Sequence, residues 1–184
     1  MAAYGTTFGL DAVITRGANT YGPRQHPEKL FPLFISNTID QQPMPLYGDG
    51  LQRRDGLFVD DHAHAVSFVF DKGLAGQVYN VPGGQERTTR AVTEAILRRL
   101  ERPWSLVRQV VDRPGHHSRH AMDGVRLAQL GWRPAVTFED GAARTIDWYR
   151  ANQTLVAGTE GRRVRELLRP QYERRLAEST PARS

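Results

Sequence analysis

Two short apolar runs in this sequence end in the same way. Ala12-Val13-Ile14-Thr15-Arg16 stops at a loop carrying Gly17, Asn19 and Gly22, and Gly76-Gln77-Val78-Tyr79-Asn80-Val81 stops at Pro82-Gly83-Gly84. Brief β-rich runs closed by glycine and proline are strand signals. Behind the second, Thr88 or Thr89 opens a helix to about Leu100, with Val92, Ala95, Ile96 and Leu100 on one side. Alternation of strand, turn and helix predicts an α/β fold. In such folds ligands gather in the loops beyond the strand ends. Asn19 stands in one of these loops, either to bond a ligand or to serve its own turn.

Between the two runs lies the stretch richest in polar chemistry, Tyr47 to His64. Gly48-Asp49-Gly50 signals a turn. Arg53 and Arg54 follow, then Leu57-Phe58-Val59 as an apolar anchor, then Asp60 or Asp61 to cap a helix. A guanidinium fork suits a phosphate or carboxylate; a solvated hairpin is the plain alternative. The helix to Lys72 is expected to turn Ala63, Val66, Val69 and Phe70 inward and to end at Gly73. His62 and His64 are two residues apart, so they face different ways and share no metal. Upstream, a helix over 28–40 carries Leu30, Leu33, Phe34 and Ile39, with Lys29 at its start, where a cation suggests a nearby anion. Pro43 to Tyr47 is extended, because two prolines forbid helix.

Downstream, 105–111 is a third strand candidate, running into Asp112-Arg113-Pro114-Gly115-His116-His117-Ser118-Arg119-His120. The Pro-Gly pair breaks any metal-ligand spacing among these histidines. Arg113 and Arg119 are better read as anion-holding groups. Asp123 caps a short helix over 124–130, and Thr137 to Asp140 is a capping-box-like start for a helix to about Ala151, with Phe138, Ala142, Ile146 and Tyr149 on one side.

At 184 residues the chain suits one domain, or one and a piece of another. It has no cysteine, which excludes disulfides and thiolate metal sites. No apolar run reaches membrane-spanning length, and the first residues lack the basic and apolar regions of a signal peptide; a cytoplasmic location is expected. The net charge of +5 divides unevenly. From Gly158 onward seven arginines oppose four glutamates, which reads as a solvated helix over 160–176. A nucleic-acid-binding role through this tail is the weakest reading, since no charged folded face or known module accompanies it.

Taken in order, the loop motifs resemble a known family. Asn19-Thr20-Tyr21-Gly22-Pro23, Pro27-Glu28-Lys29-Leu30, Pro45-Leu46-Tyr47-Gly48, Arg54-Asp55-Gly56-Leu57-Phe58-Val59-Asp60-Asp61-His62, Tyr79-Asn80-Val81-Pro82-Gly83-Gly84, Arg113-Pro114-Gly115-His116 and Leu130-Gly131-Trp132-Arg133-Pro134 carry the likeness. The chain resembles the C-terminal half of nucleotide-sugar 4,6-dehydratases, extended short-chain dehydrogenases of the NAD-dependent epimerase/dehydratase family, and looks most like the dTDP-glucose branch. The resemblance implies an incomplete Rossmann-like α/β fold with the small nucleotide-sugar-binding subdomain over 1–152; beyond it, 153–184 reads from its own composition as a basic, partly helical tail. It implies that Asn19 contacts the sugar diphosphate and that Thr20 lies beside the nicotinamide. Lys29 and Leu30 would line the nucleotide site, Pro45, Leu46 and Tyr47 would flank the base, Arg54 and Arg113 would hold the diphosphate, and Asn80 and His116 would complete the pocket.

The departures bear on activity. No G-x-G-x-x-G stands in this sequence, and Tyr4 is followed four residues on by Phe8 rather than Lys. The family's Gly-rich NAD site and Tyr-x-x-x-Lys pair are thus not found here. Thr20 stands where a second Asn is usual, and Gly56 where an aromatic is usual. The expectation is a truncated dehydratase-like protein that binds a dTDP-sugar at most. It would have no catalytic residue of its own and no tight hold on NAD, and its partner would be a separate N-terminal half or another copy of itself. The rival reading is a non-catalytic interaction or regulatory module that keeps the scaffold. The strands ending at Arg16 and Asn80 are expected to leave an unpaired edge and an uncovered apolar face.

Overall fold

A computed structural model describes residues 2–153 together with Glu166, Pro170, Glu173 and Arg174; the helix expected over 160–176 otherwise lies outside the described residues. The chain opens with helix α1 (Ala2–Phe8), strands β1 (Ile14–Gly17) and β2 (Asn19–Tyr21), helix α2 (Leu30–Ile39) and strands β3 (Met44–Tyr47) and β4 (Arg53–Phe58). Helix α3 (Val59–Lys72), strands β5 (Val78–Val81) and β6 (Glu86–Thr88), and helix α4 (Thr89–Arg99) follow. A 3-10 turn at Trp104–Leu106 leads to β7 (Val107–Val110), β8 (Arg119–His120), α5 (Val125–Gln129) and α6 (Phe138–Ala151).

The two apolar runs closed by glycine-containing loops are neighbours. β1 and β5 pair in parallel, with Arg16 opposite Asn80. β4 pairs in parallel with β2, placing Asn19 opposite Gly56, and antiparallel with β6, placing Arg54 opposite Arg87. It also pairs with β8. β3 pairs in parallel with β7. This is α/β architecture with predominantly parallel pairing, matching Rossmann-like folds.

Capping explains several boundaries. Thr88 accepts the Ala91 amide at 3.0 Å to start α4, and Thr137 accepts that of Asp140 at 3.2 Å to start α6. α3 departs from the sequence reading. Phe58 precedes it without a side-chain cap, and Asp61 turns inward to accept the Ala135 and Val136 amides at 3.1 and 2.9 Å. Asp61, Ala65 and Val69 form the buried face, while Val66 and Phe70 point outward, 45% and 84% exposed. Apolar side chains lie on two sides of α3, and the sheet takes the side that also carries Asp61.

Two apolar clusters result. One joins Tyr21 and Phe58 to Phe31, Phe34, Ile96, Phe138, Ile146 and Tyr149, between β2, β4 and the mutually packed α2, α4 and α6. The other holds Ala65, Val69, Tyr79, Val81, Leu127 and Trp132 around β1, β5 and α3.

Candidate nucleotide-sugar site

A cleft of about 660 Å³ opens between the ends of β2 and β4, the start of α2, and β3. Strand alternation decides which side chains enter it. On β3, Pro45 and Tyr47 face the cleft, while Met44 and Leu46 point into the core, Leu46 being 2% exposed. On β4, Arg54 and Gly56 face it. The neighbouring Asp55 is buried and accepts the Gly83 and Gln85 amides at 3.0 and 3.3 Å. At Gly56 an added Cβ would stand 3.4 Å from the Tyr21 ring, in ordinary contact.

Of the residues named from sequence, Asn19, Thr20, Lys29, Leu30, Pro45, Tyr47, Arg54, Arg113 and His116 meet in this cleft. Leu46 belongs to the core instead, because it alternates with Tyr47 on a short strand. Asn80 is held elsewhere: its Nδ2 donates to the Asp123 carbonyl at 3.0 Å. Arg119, read as an anion holder, is already spent on Glu86, bonding both carboxylate oxygens at 2.9 and 2.6 Å. Lys29 pairs with Glu28 at 2.8 Å. The Thr20 hydroxyl donates to the Ala18 carbonyl and lies 2.7 Å from His62 Nδ1.

Arg54 and Arg113 stand apart from these paired groups. Neither forms an ion pair with a carboxylate among the described residues. Arg54 Nη2 lies 2.8 Å from His116 Nε2 and Nη1 donates to the Arg53 carbonyl. Arg113 lies 5.9 Å over the Tyr47 ring. Burial and the neighbouring Arg113 make the Arg54 charge costlier, lowering its pKa from the ordinary value, with Asp112 opposing. The site therefore carries positive charge that an anion would relieve.

Sequence reading missed Gln25, Gln52, Gln85 and Arg87, which also line the cleft. Arg87 is placed by its register with Arg54, and it stacks over Phe138 while pairing with Glu139 at 3.0 Å. No local motif marks it. The Tyr21 ring lies beside Gly56 while its hydroxyl packs against Gly141 of α6, and burial, with Glu139 and Asp61 close by, pushes the phenol above its ordinary pKa.

Residues 1–82 match the sequence pattern of the NAD dependent epimerase/dehydratase family. The dTDP-glucose 4,6-dehydratase of Streptomyces niveus is 46% identical over 152 residues, covering 82% of this chain and 45% of that protein. That of Neisseria gonorrhoeae is 42% identical over 164 residues, covering 83% and 47%. Among solved structures, the dTDP-glucose 4,6-dehydratase of Streptomyces venezuelae with NAD bound superimposes with a TM-score of 0.80 at 48% identity, covering 84% of this chain and 48% of that one. The UDP-glucose 4-epimerase of Thermus thermophilus, also an NAD complex, gives 0.75 at 32% identity, covering 82% and 50%. The chain is thus related in sequence and fold to part of the NAD-dependent epimerase/dehydratase family. Within that family its curated relatives at 42–47% identity are dTDP-glucose 4,6-dehydratases, and it spans about half their length.

The residues described here do not fit a dinucleotide. A pyrophosphate needs open glycine amides at a helix N-terminus. The one doubled glycine, Gly83-Gly84, is closed: a Cβ on Gly83 would come 2.0 Å from the Gly56 carbonyl oxygen, and its amide is bonded to Asp55.

Proposed function

We propose that this chain holds a nucleoside-diphosphate sugar of the dTDP-glucose class. The observation that carries this is the pair of arginines without carboxylate partners beside an apolar platform. Arg54 and Arg113 take the diphosphate, since each offers paired charge-assisted bonds to phosphate oxygens. Pro45 and Tyr47 flank the base. Asn19, beside Gly56 on the adjoining strand, faces the sugar end together with Thr20. The dehydratase identity of the relatives supports the substrate class.

On this reading the chain supplies substrate-holding groups, and the dinucleotide is held by another polypeptide or by sequence beyond these residues. The residues described here bind and orient the substrate.

Calorimetry with dTDP-glucose tests the reading. Binding in the micromolar range is expected, and Arg54→Ala is expected to weaken it about 10- to 150-fold, the worth of a charge-assisted hydrogen bond at about 1.5–3 kcal/mol. Absence of binding at millimolar dTDP-glucose would overturn the assignment.

A further inference from the structure

The His116 ring is engaged at both nitrogens. Nδ1 lies 2.7 Å from Asp112 Oδ1 and Nε2 lies 2.8 Å from Arg54 Nη2, with the side chain only 9% exposed. A guanidinium has donors and no acceptor. Nε2 must therefore accept, which makes the ring neutral and puts its single proton on Nδ1, donated to Asp112.

Asp112 is itself fixed. Oδ1 also accepts the Arg113 amide at 2.8 Å, and Oδ2 accepts Gln52 Nε2 at 2.9 Å. Gln52, 7% exposed, donates as well to the Tyr47 carbonyl at 3.1 Å. The contacts run from the 47–52 turn through Asp112 and His116 to the guanidinium that faces the cleft. Burial works against the Asp112 charge, but the bonds from His116, the Arg113 amide and Gln52 outweigh it and hold its carboxyl below the ordinary value. It is thus the ionised acceptor this arrangement needs.

We propose that Asp112 is a positioning residue for the anion site: by accepting the Nδ1 proton of His116 it leaves Nε2 to accept from Arg54, and so aims the Arg54 guanidinium at the ligand. The ligand part of this rests on the function proposed above; the tautomer part does not. The groups facing His116 are Asp112, Arg54, Arg113 and the Tyr47 ring, edge-on at 6.2 Å. Protonating His116 sets a second N–H donor and a second positive charge against Arg54, and the guanidinium must turn away.

The test combines two measurements on the full chain. Two-bond nitrogen–proton NMR spectra, with the His116 signal assigned by its loss in His116→Gln, report the tautomer; calorimetry reports dTDP-glucose affinity. The wild type is expected to carry its proton on Nδ1. Asp112→Ala is expected to shift it toward Nε2 and to weaken binding at least tenfold. Asp112→Asn keeps an acceptor oxygen for Nδ1 and for the Arg113 amide, and gives up only the oxygen that accepts from Gln52. That variant is expected to keep the Nδ1 tautomer and affinity within about threefold. A wild-type proton on Nε2 overturns the proposal, as does an Asp112→Ala variant that loses affinity with the tautomer unchanged, or that changes neither. A wild type with the Nδ1 proton but no affinity for dTDP-glucose overturns the proposed function and the anion-holding role together, and leaves the hydrogen-bond arrangement standing.

Discussion

The two apolar clusters are built from the same kinds of residue and finished to different degrees. Around the cleft, α2, α4 and α6 pack on one another and over β2 and β4, and the aromatic rings of Tyr21, Phe31 and Phe138 interlock, Tyr21 and Phe31 stacking at 4.5 Å. Around β1 and β5 a two-stranded parallel sheet meets α3 on one side. Parallel sheets are ordinarily buried on both faces and wider than two strands. On that side Phe8, Leu10, Val66, Phe70 and Leu74 are exposed. The half that holds the cleft is closed among the described residues. The half bearing the sheet edge leaves its apolar surface uncovered among the described residues.

The sharpest way to break this contrast is to cut the same volume from each core. Ile146 and Leu127 are both fully buried. Aliphatic-to-alanine changes cost about 2–5 kcal/mol, depending on how well the site collapses. Ile146→Ala, between three packed helices, is expected near the top of that range. Leu127→Ala, on the five-residue α5, is expected near the bottom, because so short a helix can move in. Denaturant midpoints at constant m-value measure both. Equal losses would mean the clusters are equally rigid.

A second test addresses the uncovered face. Phe70→Glu puts a charge where α3 meets solvent. If this face associates with other copies, the substitution weakens self-association at least tenfold, about 1.4 kcal/mol, while dTDP-glucose affinity stays the same. Sedimentation velocity of wild type and variant reads the change. A wild type that is monomeric at high concentration and unfolds cooperatively above about 65 °C would remove the contrast.

The same contrast governs how much the sequence revealed. α4 and α6 were legible because each combines a threonine cap with one apolar stripe. β1 and β5 were each legible as a short apolar run closed by a glycine-containing loop, but their pairing was not. α3 was misread because Val66 and Phe70 look like core residues until the sheet selects the face with Ala65 and Val69. In the cleft, Arg54, Arg113 and Tyr47 stood out through loop motifs. Arg87 did not, since its place depends on β4–β6 register. Gln52 and Asp112 did not either, because their roles come from a contact across 60 residues of chain. Leu46 and Asn80 lie outside the cleft lining for a related reason. Adjacency in a motif says nothing of which way a strand residue points, and Asn80 finds its partner at Asp123.

The smallest effect separates packing from charge within the finished half. Arg99 on α4 grips Asp147 on α6 through two bonds, one of them 3.0 Å from Nε, and both side chains are about half exposed. The bond from Arg99 comes first in holding the Asp147 carboxyl below its ordinary value, joined by the charges of Arg99 and Arg150, with burial opposing. A carboxyl lowered by folding adds stability above its unfolded pKa of about 3.9 and loses it as pH falls through the folded value. Solvent screening keeps the contribution of so exposed a pair small. Asp147→Asn is therefore expected to lower the melting temperature slightly at pH 7, with the difference closing as pH drops below 4 and shrinking in molar salt. A difference that persists unchanged at pH 3 would show that Asp147 acts through helix packing, and that charge adds nothing to what the aromatic core between α2, α4 and α6 already holds.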